Sequence, residues 1–349
     1  MKKALATILA LVMALSVTTM AWADDVAKIG NTGYATLKAA IEHVADGETI
    51  VLTADVNNGD GIVVDSGKNF TLDFAGHTYT ITQNVVGSTG TENQCFQLLR
   101  DSTITMKDGA IVANCTGAKM IIQNYCNLTL DNMKLDATVG DNNVGYVVSN
   151  NCGNVFIKNG TTITAKTTGV AFDVYGGFQN YGDVSVTLEA GATVNGKVEV
   201  ARDTGTQNKN TLTVTGGTVN GELVVTENEK TKVAVTGGTF STDVTEYLAE
   251  GKILQKNGDT YTAVTNSAIT SGTYTSEPTV PSGYKATKND DGTWTVSKVS
   301  YYYYQPTTDT KTTDTKGSPK TFDAGIALYV GMALTSAAGV AFVGKKRED

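Results

Sequence analysis

Positive charge is scarce in this chain of 349 residues: 27 Lys and Arg stand against 35 Asp and Glu, for a net charge of −8. Phosphate backbones are bound through basic faces, so nucleic acid is not an expected partner. Histidine and cysteine are scarcer still. His43 and His77 are the two histidines, and Cys95, Cys115, Cys126 and Cys152 show no C-x-x-C spacing. That pattern argues against a zinc site. No Ser or Cys motif marks a nucleophile beside either histidine, so both are read as structural, with no catalytic residue and no cofactor assigned. Over the middle of the chain, no window of 11 to 18 residues keeps apolar residues at the i, i+3, i+4, i+7 spacing of a helix.

What the chain has instead is a recurring phrase. It reads Ile104-Thr-Met106-Lys-Asp-Gly109, Leu128-Thr-Leu130-Asp-Asn-Met133 and Val155-Phe-Ile157-Lys-Asn-Gly160. It returns as Val186-Thr-Leu188-Glu-Ala-Gly191, Leu212-Thr-Val214-Thr-Gly-Gly217 and Val233-Ala-Val235-Thr-Gly-Gly238. The last positions are spaced by 24, 27, 31, 26 and 21 residues, a period that marks a solenoid. Apolar and polar residues alternate within each copy, so each is a strand with one buried face. A second short strand follows at Ile111, Leu135, Val194, Val219 and Phe240, and a third apolar patch at Met120, Val148, Val174, Val200 and Val225. Three short strands in about 25 residues make one coil of a parallel β-helix. The position after the second apolar residue holds Lys107, Asp131, Lys158, Glu189, Thr215 and Thr236. In register these point outward, and opposite charges one strand apart are expected to pair. Asp131 and Glu189 are accordingly set aside as catalytic acids.

The chain opens with Lys2 and Lys3, an apolar run over residues 4–15 and Ala21-Trp22-Ala23, the layout of a secretory signal peptide over residues 1–23. Residues 34–46 read as one amphipathic helix. Thr36 can cap it, Leu37, Ala40, Ile41 and Val44 share a face, and Gly47 closes it. The helix is expected to cover the open end of a solenoid spanning residues 24–242. Residues 243–299 carry a smaller duplication whose turn signals, Asn257-Gly258-Asp259 and Asn289-Asp-Asp-Gly292, predict β-hairpins that close the far end. Asp55-Val-Asn-Asn-Gly-Asp60 has the outline of a calcium loop, but Gly59 stands where a ligand is needed and no terminal Glu follows, so no metal is assigned.

Gly33-Tyr-Ala-Thr-Leu-Lys-Ala-Ala-Ile41, Asp46-Gly-Glu-Thr-Ile-Val-Leu52 and Thr71-Leu-Asp-Phe-Ala-Gly-His77 resemble the opening of pectin-lyase-like proteins on Gram-positive cell surfaces. The resemblance covers roughly residues 27–240. It implies an all-β fold, a right-handed parallel β-helix. That family holds polysaccharide lyases and glycoside hydrolases, and also many members without known activity.

Residues 300–317 begin with tyrosines at 301–304 and continue in Thr, Asp and Lys, the composition of a linker. The segment 318–349 then carries Ser318-Pro319-Lys320-Thr321-Phe322, an apolar run over residues 325–343, and Lys345-Lys346-Arg347. A run of that length can cross a bilayer as a transmembrane helix, with the basic tail kept cytoplasmic. The order of motif, apolar helix and basic tail resembles a sortase cell-wall sorting signal. Pro319 and Thr321 match its Leu-Pro-any-Thr-Gly pattern, whereas Ser318 replaces Leu and Phe322 replaces Gly. The resemblance implies joining of Thr321 to peptidoglycan; if Phe322 blocks that, the chain stays as a single-pass membrane protein. Either way, the expected location is the outer face of the cell envelope, with cell wall or membrane as the partner of the C-terminus. Export permits disulfides, with Cys115–Cys126 or Cys126–Cys152 able to meet across coils; the alternative is four small core-fillers.

One stretch stands out functionally. Phe172-Asp173-Val-Tyr175-Gly-Gly-Phe178-Gln-Asn-Tyr181-Gly-Asp183 lies inside the longest repeat. Extra residues in a solenoid coil form loops on one face, often the binding face. Phe172, Tyr175, Phe178 and Tyr181 can offer flat faces to sugar rings, and Asp173 with Asp183 can bind hydroxyls or act as an acid/base pair. The plain alternative keeps Phe172 and Val174 in the core and leaves a Gly-rich loop. A lyase would also need a basic residue, for which Lys166 and Arg202 are nearest. The expectation is a surface-anchored protein that binds glycans or a host surface without catalysis. The other reading is an extracellular polysaccharide lyase or glycoside hydrolase.

Overall fold

The computed structural model describes residues 25–300. The signal-like segment, nearly all of the linker, the sorting-like motif and the apolar run near the C-terminus lie outside the described residues.

The recurring phrase aligns residue by residue. Phe70 pairs with Ile104, Ile104 with Leu128, Leu128 with Val155, Val155 with Val186, Val186 with Leu212, and Leu212 with Val233, all in parallel register. Two residues on, Leu72, Met106, Leu130, Ile157, Leu188, Val214 and Val235 form a second inward file, fully buried. Each such aliphatic side chain contributes about 1.5–3 kcal/mol by leaving water. A second parallel ladder runs through Thr78–Ile81, the far half of Thr103–Ala113, the far half of Asn127–Asp136, Thr162–Thr164, Thr193–Asn195, Thr218–Asn220 and Thr239–Phe240. A third is a seven-stranded sheet: Ile62–Val64, Gln94–Leu98, Met120–Asn124, Tyr146–Asn150, Val170–Val174, Lys197–Val200 and Leu223–Val225. The chain visits the three ladders in turn, an arrangement compatible with a parallel β-helix.

Sharp corners need left-handed backbone, and Gly160, Gly191, Gly217 and Gly238 supply it with positive φ. In two earlier coils the left-handed residue is instead Asp108 (φ 57°) or Asn132 (φ 54°). Asp and Asn tolerate that region better than other side chains, and the Asn132 amide donates to Asp108 at 2.9 Å.

The charge column is in the expected register, Asp73 beside Lys107 and Lys107 beside Asp131, but it does not form the expected chain of ion pairs. Lys107 reaches Asp73 at 2.7 Å and Asp108 at 2.8 Å. Among the described residues Asp131, Lys158 and Glu189 make no ion pair. One ammonium already shared by two carboxylates leaves Asp131 without its partner. Thr215 and Thr236 use their hydroxyls differently, donating to the carbonyls of Leu188 and Val214 one coil back.

The helix is shorter than its apolar pattern, Leu37–His43. Thr36 caps it, its hydroxyl accepting from the Ala39 amide at 3.1 Å, and Val44 already has extended backbone. Leu37, Ala40, Ile41 and Val44 are buried against the first coil. At the other end, Lys252–Asn257 pairs with Thr260–Thr265 and Tyr284–Lys288 with Trp294–Lys298, both antiparallel. Ile253, Ile269, Tyr274 and Val296 form a small core of their own there.

Candidate functional site

The site arises where the third ladder turns into the first. That corner takes two residues in two successive coils, Tyr125-Cys126 and Asn151-Cys152. In the next two coils it takes nine, residues 175–183 and 201–209. The long 175–183 corner folds back over the short ones. Tyr181 comes to 5.1 Å from Tyr125, ring centre to ring centre, and Phe178 to 6.0 Å. The Cys152 thiol donates to the Tyr181 carbonyl. Further back, Arg100 lies over the Tyr181 ring at 5.0 Å and donates to the Asn180 carbonyl at 3.0 Å. Tyr175 and Phe178 complete the row at 6.0 Å.

The sequence-picked residues separate into three groups. Tyr175, Phe178 and Tyr181 join this aromatic shelf, and Phe178 and Tyr181 are 40% and 38% exposed. Phe172 points inward and is buried in the core. Asp173 and Asp183 do not share a partner. Asp183 accepts from the Lys209 amide at 2.9 Å and ties the two long corners together.

Asp173 points out of the third ladder, yet is 2% exposed. One carboxylate oxygen accepts from the Asn150 amide at 2.6 Å; the other accepts from the Ser149 hydroxyl at 3.2 Å and from Arg202 at 2.9 Å. Burial pushes its pKa up to about 6, against the opposing pull of Arg202 and the two hydrogen bonds. The guanidinium of Arg202 is held between two rings, 5.1 Å from Tyr146 and 4.6 Å from Tyr175. Those rings are fixed in turn, Tyr146 donating to Glu199 at 3.2 Å and Tyr175 to Asp203 at 2.8 Å. The result is a lid of stacked cation and rings over a buried carboxylate.

Lys166 is engaged elsewhere, its ammonium donating to the Asn142 carbonyl at the corner that follows Thr162–Thr164. His77 bonds Asp55 at 3.2 Å, and Asp60 bonds the side chain of Asn84 at 3.1 Å, each across to the next coil. His43 donates through Nδ1 to the Ala39 carbonyl at 2.8 Å within its helix and packs on Tyr34. All four cysteines are free thiols. Cys126 does neighbour Cys152, two residues past the paired Asn124 and Asn150. Cys115, however, neighbours Cys95 rather than Cys126, and that neighbour holds the Cys115 thiol below the ordinary thiol range while Cys95 is pushed up.

Sequence reasoning alone passed over Tyr125, Tyr146, Ser149 and Arg100. The repeat contained a signal for some of them. Tyr125, Asn151 and Tyr175 each follow the third-ladder strand directly, and Arg100, Cys126, Cys152, Gly176 and Arg202 each stand two residues beyond it. The two arginines therefore occupy one file four strand spacings apart, roughly 19 Å, with the aromatic corner between them. Comparison with known proteins yields no matching family model, no matching curated protein and no matching solved structure.

Proposed function

We propose that this protein displays its coils on the outer face of the cell envelope and uses the Tyr125–Tyr175–Phe178–Tyr181 shelf to bind glycan without chemical turnover. The observation that carries the reading is the shelf itself. Four rings meet at 5.1–6.0 Å on one corner, two of them well exposed. Exposed rings grouped on one face, tilted 46–77° to one another, give an apolar patch flanked by polar groups, the usual makeup of a binding site. The export and anchoring half of the reading rests on the N- and C-terminal motifs, and the pectin-lyase-like, right-handed form of the fold on the opening phrases.

Asp173 supports binding over catalysis. A general acid or base must reach the proton it moves, whereas this carboxylate is enclosed and holds three donors. A glycan array probed with the protein, followed by Phe178→Ala and Tyr181→Ala, tests the reading: binding to at least one glycan, weakened in both variants, is expected. Lack of binding to any glycan, host matrix or cell would overturn it. Release of products from pectins, alginates or host glycans would move the assignment to a lyase or glycosidase.

A further inference from the structure

The two nine-residue corners and the Arg100-Asp101 turn border an open cleft of about 580 Å³ beside Tyr181, within the size range of small-ligand sites. Arg100, Asp101, Gln179, Tyr181, Gln207 and Asn208 line it. Its polar groups are only partly used. Asn208 spends its amide nitrogen on the carbonyls of Phe178 and Gly176, at 2.8 and 3.2 Å, which leaves its oxygen over. Gln207 donates to the Gly205 carbonyl at 2.8 Å, which also leaves an oxygen. Among the described residues, the side chains of Gln179 and Asp101 make no hydrogen bond, and Arg100 uses a single nitrogen. The cleft thus offers acceptors and donors side by side, next to one aromatic ring.

That mixture fits a particular chemistry. A vicinal diol presents a donor and an acceptor at each hydroxyl, and carboxamides and a carboxylate answer both. The charge of the corner selects further. Arg100, Arg202, Lys209 and Lys230, whose ammonium donates to the Gln207 carbonyl at 3.0 Å, stand against Asp101, Asp173, Asp183 and Asp203, so no surplus of positive charge is available to a uronate, sulfate or phosphate. Asp101 would face such a group directly, at a cost. Resting on the glycan reading above, we infer that the ligand is a neutral oligosaccharide, with one ring packed on the part of Tyr181 that Arg100, Tyr125 and Phe178 leave exposed and its hydroxyls held by Gln179, Asp101 and Asn208.

The test is titration of the full chain with neutral hexose and N-acetylhexosamine oligosaccharides, with uronate-containing ones and with sulfated ones. Neutral ligands should bind. Gln179→Ala, an exposed change, should weaken them about tenfold with the melting temperature unmoved. Asp101→Asn should weaken neutral ligands and also admit uronates. Binding confined to acidic glycans overturns the inference and leaves the glycan reading standing. So does neutral binding that ignores Gln179→Ala and Asp101→Asn but is lost in Phe178→Ala. Absence of any glycan binding overturns both.

Discussion

Replacing Arg202 with Met should destabilise the protein in a pH-dependent way, because Arg202 compensates a charge that the fold holds out of water. Asp173 titrates at about 6 rather than in the ordinary carboxylate range. Keeping it ionised at neutral pH therefore costs the fold on the order of 3 kcal/mol relative to its neutral form. The sign follows: between its ordinary value and about 6 the folded chain binds the extra proton. The stability this residue contributes is thus present at low pH and lost as pH rises through about 6. Without Arg202 the ionised carboxylate keeps only Ser149 and the Asn150 amide. Breaking a buried ion pair costs about 3–5 kcal/mol. The Arg202 side chain is 44% exposed, so water screens the pair and the lower end, about 3 kcal/mol, applies. For a domain of this size that is roughly 6 °C of melting temperature at pH 7.5. At pH 5 Asp173 takes up a proton instead, and the deficit should shrink to the lost ring contacts, about 1 kcal/mol. Thermal melts of both chains at pH 5 and 7.5 decide the matter. A deficit that is equal at the two pH values, or larger at pH 5, refutes the account.

Other substitutions probe the scaffold. Phe172→Ala should cost about 3–5 kcal/mol by leaving a cavity among stacked coils, read as a drop in the denaturant midpoint. Thr36→Ala removes the helix cap and should cost about 1 kcal/mol, with amide exchange rising in the first turn of Leu37–His43. Gly153→Ala places a Cβ 2.4 Å from the Cys126 carbonyl oxygen at φ 86°, and should lower the melting temperature by several degrees. Tyr181→Ala removes the ring contacts with Tyr125, Phe178 and Arg100, so the melting temperature should fall by about 2–4 °C while limited proteolysis within residues 176–183 speeds up.

The scaffold was legible because its information is periodic. Alternating apolar residues with a recurring turn Gly predicted which residue of one coil faces which residue of the next, and the pairing of Ile104 with Leu128 through Leu212 with Val233 follows that alignment. The site was only half legible. The length of the 160–191 step pointed to a loop, but not to its direction. Its fold back toward Arg100 depends on the shortness of the Tyr125-Cys126 and Asn151-Cys152 corners, which make room for it. Side-chain pairing was the least legible layer. Lys107 had Asp73, Asp108 and Asp131 within reach, and register alone does not choose among them. The same holds for thiols, where Cys115 lies as near in sequence to Cys126 as any pair, yet the turn after Ala113 aims it at Cys95.

The hydrogen bonds of all three ladders run from coil to coil, along the stacking axis and across the strands. A tension applied at one end is passed along the whole stack, yet it peels the terminal coil first, so bonds break one coil at a time while the coils behind it stay paired. Each rupture frees about 25 residues, or roughly 80–90 Å of extended chain, before the next coil peels. The stack would give way as a series of small, similar yields, dissipating work like a shock absorber, and an end-capping hairpin set such as 252–298 would be the first link to bear the pull from the C-terminal side.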